Sequence, residues 1–261
     1  MSRRRFDNIL SNLHINDNAK IPVNNKDKLY KLKPMIDSLN ETFNAFSKGT
    51  RHITIDESMI AFKDRSSIKQ YNPMRPIKRG YKIWCCDDQK GYILHFDIHQ
   101  GKEGNDNEPE LTDWGLGEKV VLELLKNYLG TNRIIVFDKF FTSVPLLEKL
   151  KVEKTYAWGT IRCNRKGTPK NLTNDKNLKR GEFDYRFSTA EIGFFRWRDN
   201  RVVNLASNFH GNETTVVKRK QKDGTSIEIP CPTIVADYNK YMGGVDKAHR
   251  RCICNCICVI L

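Results

Sequence analysis

A chain of 261 residues with 39% hydrophobic and 29% charged residues holds enough apolar mass for a substantial core, as one large domain or two smaller ones. No run approaches the roughly 18 apolar residues of a membrane span, and the stretch from Met1 to Asp17 lacks the apolar centre of a signal peptide, so an intracellular, non-membrane protein is expected. Lys and Arg number 45 against 31 Asp and Glu, a formal net charge of +14, which makes polyanions, and nucleic acid first among them, the expected partners.

Phe6, Ile9, Leu10 and Leu13 recur at three- and four-residue steps, and after the polar Asn16-Asp17-Asn18 break the same spacing returns at Leu32, Met35, Ile36, Leu39, Phe43 and Phe46. Pro34 is acceptable in a first helical turn. Residues 1–49 therefore read as a small helical region whose two apolar stripes are packing faces. From His52 the period changes to two: Ile53 and Ile55 share a face, and Asp56 stands where the alternation ends. A loop rich in Lys, Arg and Pro follows over 63–79. Tyr81–Cys86 and Tyr92–Ile98 are strands joined by a turn at Asp87-Asp88-Gln89-Lys90-Gly91.

Residues 117–129 carry Val120, Val121, Leu124, Leu125 and Tyr128 at helical spacing, and the apolar run Ile134–Phe137 is a buried strand closed by Asp138. A helix over 144–150 and a strand over 155–160 complete the order strand, strand, strand, helix, strand, helix, strand. That order matches a ribonuclease-H-like α/β fold, a mixed sheet flanked by helices in which the first and fourth strands lie side by side. Residues 162–229 break the alternation, with short strands around 179–185 and 194–197 between polar turns, and read as a mainly β insertion. Helical signals resume over 235–246, so that 50–161 and 230–261 form the two parts of the core. Trp84, Trp114 and Trp158 are expected to pack, and the histidines do not cluster into a metal site.

Asp56, Asp138 and Asp246 carry the chemistry. Asp is hard, anionic and short, which suits it to holding divalent metal against a phosphodiester. Each one alone is more often a turn or cap residue; their contexts taken together favour the metal reading, and only folding can bring three such distant positions together.

Three blocks sharpen the reading: Ile-Asp-Glu-Ser-Met-Ile-Ala-Phe-Lys-Asp-Arg at 55–65 with Pro-Ile-Lys-Arg-Gly at 76–80, Phe-Asp-Lys-Phe-Phe-Thr-Ser-Val-Pro-Leu-Leu at 137–147, and Asp-Tyr-Asn-Lys-Tyr-Met-Gly-Gly-Val-Asp-Lys-Ala at 237–248. In order and in length they closely resemble the piggyBac transposase family, over residues 1 to about 250. The resemblance implies a DDE/D transposase of cut-and-paste type, acting in the nucleus on double-stranded DNA as a homodimer, with two Mg²⁺ ions nicking the element end and insertion at TTAA targets. It assigns the catalytic and metal-binding roles to Asp56, Asp138 and Asp246. Lys63, Arg65, Lys69, Arg75, Lys78 and Arg79, flanking the first aspartate, are expected to contact DNA phosphates, which positions the backbone without reading sequence.

Two departures qualify the expectation. The family's fourth acid, three residues after the third, is here His249, and imidazole is a poor Mg²⁺ ligand. The Cys252, Cys254, Cys256 and Cys258 tail has every-second-residue spacing, unlike a structural zinc site, and relatives continue past this point. A fragment with impaired activity is expected; the alternative is a domesticated or decayed DNA-binding protein that cannot cut.

Overall fold

The computed structural model describes residues 1–73, 76–101 and 114–254, with side chains described through Arg250. The chain divides into two compact units, one of Met1–Lys48, Met59–Ile83 and Ile98–Thr112, the other of Gly49–Ser58, Trp84–Asp97 and Asp113–Leu261. Strands β1 (His52–Ala61) and β3 (Arg79–Asp88) contribute residues to both.

The first unit contains helix α1 (Arg3–Ser11), capped by Ser2, whose side chain accepts from the Arg5 amide, and helix α2 (Lys33–Phe46), with Pro34 in its first turn as expected. α2 buries Ile36. The stripe on α1 differs from its reading as a packing face: Phe6, Ile9 and Leu10 are 41%, 49% and 52% exposed. In the same unit the two-residue strand β2 (Gln70–Tyr71) pairs antiparallel with Arg79 and Gly80 of β3.

The second unit is organised around a mixed sheet. β1 runs parallel to β5 (Ile134–Phe137), with Ile55 opposite Phe137, and β5 runs parallel to β6 (Tyr156–Thr160), with Phe137 opposite Gly159. β6 continues antiparallel into β9 (Val202–Ser207), then β8 (Gly193–Arg198), then β7 (Phe183–Phe187). β3 lies on the other side of β1, and β4 (Ile93–Ile98) pairs with β3. This is the ribonuclease-H-like arrangement, with the first and fourth long strands adjacent. β1 does not stop at Asp56 but continues to Ala61. Of the segment 162–229, β7, β8 and β9 extend the main sheet, whereas β10 (Thr214–Lys220) and β11 (Ser226–Pro232) form a separate antiparallel pair.

Parallel strands buried on both faces need cover on both faces. One cover includes helices α3 (Leu116–Leu124) and α4 (Val144–Val152), whose Val121, Leu124, Leu146, Leu147 and Leu150 are buried. The other brings together Ile134, Val136, Trp158, Phe195, Trp197 and Leu205 of the sheet, Val217 and Ile229 of the β10–β11 pair, and Ile234 and Val235 of helix α5 (Thr233–Tyr241). Each fully buried side chain of this size contributes roughly 1.5–3 kcal/mol against its conformational cost. The aromatic residues of 183–197 thus serve mainly as core: Phe194, Phe195 and Trp197 are 3% exposed or less.

Gly159 shows how tightly the site end of the sheet is packed. A Cβ there would run into the Phe137 carbonyl oxygen and stand 2.6 Å from Thr142 Oγ1. Gly159→Ala is therefore expected to destabilise the protein by about 1–3 kcal/mol through overpacking, read as a lowered thermal midpoint. An unchanged midpoint would mean that the β5 end relaxes freely.

Candidate active site

Asp56 and Asp138 lie one step beyond the paired residues Ile55 and Phe137 on adjacent parallel strands. Neighbouring strands stand about 4.8 Å apart, so folding sets these two carboxylates side by side. Both project to the face covered by α5, because Thr54 and Asp56, like Val136 and Asp138, alternate with the residues that face α3 and α4. Asp138 ends its strand because the chain turns at once: the Phe141 and Thr142 amides donate to its carbonyl at 3.0 and 3.2 Å, and Ser143 caps α4.

The Asp138 carboxylate is held by one oxygen. Its Oδ1 accepts from the Lys139 amide at 2.6 Å and from Thr160 Oγ1 at 2.8 Å, while no hydrogen bond from a described residue reaches Oδ2. Thr160, the last residue of β6, follows Gly159 just as Asp138 follows the Phe137 opposite it, which puts the hydroxyl beside the carboxylate. Tyr238 of α5 stands beside Thr160, the two lining one cleft. Burial chiefly, with the Asp138 and Asp56 carboxylates adding to it, raises the Tyr238 phenol and keeps it protonated. At Asp56, Oδ1 accepts from the Glu57 amide at 2.7 Å.

Helix α5 is held at two points. Tyr241 stacks on His52 at 3.8 Å with its carbonyl accepting from Thr54 Oγ1, and Asp237 bonds His210 Nε2 at 3.1 Å. His210 also bonds Ser207 through Nδ1 at 2.8 Å, which superficially makes a Ser–His–Asp triad. Ser207 is fully buried, however, and its Oγ already accepts from the Phe209 and His210 amides, so it serves as a turn brace rather than a nucleophile. Burial lowers His210 more than Asp237 raises it, keeping the imidazole neutral.

Asp246 lies in the first turn of helix α6 (Gly244–Cys254) and is exposed. One turn on, His249 Nδ1 bonds Ser58 Oγ at 3.0 Å, and Ser58 shares the strand face of Asp56. α6 thus runs along the acid-bearing face of β1. Neither Gly243 nor Gly244 has a positive φ; what Gly244 supplies is closeness, since a Cβ there would stand 2.8 Å from both the Asp88 carbonyl and Thr54 Oγ1.

A further acid, Asp87 on β3, reads in the sequence as part of a turn. It is fully buried with no hydrogen bond from a described residue to either carboxylate oxygen, and burial first, then Asp88 and Asp56, hold it well above the ordinary carboxylate range.

For divalent metal, Asp56 and Asp138 fit as a pair: hard oxygens in adjacent register, with Asp138 Oδ2 carrying open lone pairs. Among the described residues no three His, Cys, Asp or Glu side chains stand close enough together to form a metal site, so Asp246 does not join Asp56 and Asp138 in a three-ligand cluster in this conformation. Of the basic residues, Lys63, Arg65, Lys78 and Arg79 are exposed and without an ion pair among the described residues, Lys69 bonds the Lys63 and Asp64 carbonyls, and Arg79 lies 5.3 Å from the Tyr71 ring centre. Arg75, and the tail residues 255–261, lie outside the described residues.

The family model described as Transposase IS4 matches residues 1–256. The chain belongs to this transposase family. Among its curated relatives, the human (Homo sapiens) piggyBac transposable element-derived protein 3 is 38% identical over 260 residues, covering 96% of this chain and 42% of that protein. The human piggyBac transposable element-derived protein 2 is 32% identical over 262 residues, covering 95% and 42%. A solved piggyBac transposase, in a synaptic complex with hairpin DNA, matches with a TM-score of 0.79 and 26% identity, over 97% of this chain and 51% of that one. The piggyBac resemblance carried by the three sequence blocks therefore holds, and this member of the transposase family spans about half the length of the relatives it matches.

Proposed function

We propose that the chain carries the nuclease core of a piggyBac-type transposase, cutting and joining DNA in the nucleus at Asp56, Asp138 and Asp246. The observation that carries this reading is the side-by-side placement of Asp56 and Asp138 with Asp138 Oδ2 left open. When bound there, Mg²⁺ supplies a Lewis acid that activates the attacking hydroxyl and neutralises charge on the scissile phosphate. The chain's own part is to fix the ligand: the Lys139 amide and the Thr160 hydroxyl orient the Asp138 carboxylate by hydrogen bonds to Oδ1. Asp246, presented by α6, completes the set by a modest approach of that helix. Full-length dimers with TTAA specificity belong to the same proposal.

The test is incubation of the purified chain with a labelled element end, with Mg²⁺ or with chelator, scoring nicks and hairpins. Metal-dependent cleavage is expected; its absence at full DNA binding would leave only the second reading, a non-catalytic DNA-binding protein. The Ser58–His249 bond favours that second reading, because an imidazole occupies the position of a fourth acid and is already engaged.

Under either reading the basic loop contacts phosphates. Neutralising Lys63 and Arg65 together is expected to flatten the slope of log affinity against log salt by about two, since each phosphate contact contributes roughly one counterion. Fluorescence anisotropy over a salt series measures this, and an unchanged slope would remove the loop from the interface.

A further inference from the structure

Asp87 is the acid that the proposed chemistry leaves without a task. It is the last residue but one of β3, fully buried, and neither carboxylate oxygen has a hydrogen bond from a described residue. A buried polar group without a partner is rare in folded proteins, and an ion, a water or a role in the reaction is what accounts for one. Asp88 next to it shows the contrast: its Oδ1 accepts from the Lys90 and Tyr92 amides, so that side chain belongs to the turn.

Alternation along β3 sets the direction of the Asp87 side chain. The Trp84 ring centre lies 5.3 and 5.5 Å from those of Phe140 and Phe141, beside the start of α3, where a Cβ on Gly117 would stand 2.6 Å from the Phe140 carbonyl oxygen. Cys85 and Asp87 therefore project to the opposite face of the sheet, the one that carries Asp56 and Asp138. Helix α6 covers that face at the end of β3. Gly244 is wedged against Thr54 and the Asp88 carbonyl, and a Cβ on Gly91, in the turn after β3, would stand 2.8 Å from Lys247 Cβ and 2.9 Å from the Ala248 amide nitrogen. Asp87 thus lies one strand over from Asp56, on the same face and closed off from bulk water.

Mg²⁺ gives up its water reluctantly and keeps several molecules of it when one or two carboxylates hold the ion. The hydrogens of those waters need acceptors, and partners of this kind orient the site and raise its affinity. Among the described residues no three His, Cys, Asp or Glu side chains stand close enough to share one ion, so Asp87 works at one remove rather than as a direct ligand. We infer that Asp87 is a positioning residue for the divalent ion, accepting hydrogen bonds from water that an ion on Asp56 and Asp138 carries beneath α6. The inference rests on the proposed metal site and adds to it an acid that never touches the ion.

The test is Mn²⁺ binding to the whole chain without DNA, with the free ion followed by electron paramagnetic resonance, so that no cleavage enters the readout. Carboxylates and water suit Mn²⁺ as they suit Mg²⁺. Loss of an outer partner typically costs about 10–100-fold in metal affinity, and Asp87→Asn is expected to weaken Mn²⁺ binding by that factor. Asp87→Ser, smaller and uncharged, is expected to do the same, and melting in chelator on the same preparations shows that both variants are folded. Asp88→Asn removes a neighbouring charge from the turn and is expected to leave Mn²⁺ affinity nearly unchanged. A merely structural Asp87 would give variants that differ in melting but bind Mn²⁺ as the unaltered chain does. That result, or an equal loss in Asp88→Asn, overturns the role of Asp87 and leaves the Asp56–Asp138 reading standing. No Mn²⁺ binding by the unaltered chain overturns both.

Discussion

Asp138→Asn is expected to lower metal-dependent strand cleavage by about three orders of magnitude or more, while duplex affinity stays the same or rises. The substitution separates charge from geometry. An amide oxygen keeps an acceptor for the Lys139 amide and the Thr160 hydroxyl, which hold Oδ1 at 2.6 and 2.8 Å, so the turn after β5 is preserved. What is lost is the anionic character of Oδ2, the oxygen that no described residue engages. Removing one negative charge beside a bound phosphodiester also relieves repulsion, which is why affinity does not fall with activity. Cleavage and anisotropy measured on one preparation decide the matter, and cleavage that persists near the original rate would take Asp138 out of the ligand set.

Asp87→Asn is expected to stabilise the protein at neutral pH, by an amount that grows as pH rises. The Asp87 carboxyl is fully buried, no described residue hydrogen-bonds either oxygen, and its folded-state value lies well above the ordinary 3.8. A raised acid binds its proton in the folded chain over a window where the unfolded chain has released it. Its contribution is therefore fully present below pH 3.8 and is lost as pH rises from there through the folded value. Within that window the loss is about 1.4 kcal/mol per pH unit, or roughly 3–5 °C in midpoint for a chain of this size. The asparagine variant lacks this titration, so its melting curves, recorded in chelator from acid to neutral pH, diverge upward from those of the unaltered chain. Parallel curves would show that Asp87 is ionised in the folded state with a partner.

The sheet was legible because its central strands announce themselves. Ile53 and Ile55 alternate, Ile134–Phe137 is uninterrupted, and the parallel neighbours β1 and β5 follow from the order of elements. Asp56 and Asp138 came with them, since a residue next to a paired position inherits its register. β9 was missed because its burial is graded along the strand, partial from Val202 to Asn204 and complete from Leu205 onward, and leaves no period-two signature. Asp87 was hidden by composition: Asp-Asp-Gln-Lys-Gly reads as a turn, and it is Asp88 that behaves so, accepting from the Lys90 and Tyr92 amides at 2.8 and 2.9 Å. The Thr160 bond to Asp138 had no sequence signal at all, because a hydroxyl and a carboxylate 22 residues apart meet only when β5 and β6 pair.

The close seat of Gly244 has an engineering consequence. With the start of α6 wedged against the Asp88 carbonyl and Thr54, that helix cannot slide lengthwise along β1 to bring Asp246 nearer, and the remaining freedom is a tilt about the wedged end. A tilt moves residue 249 further than residue 246, and the Ser58–His249 bond is the latch that opposes it. Attempts to tune this molecule's chemistry should therefore start at that latch, where one side chain governs the swing, before altering the glycines that form its pivot.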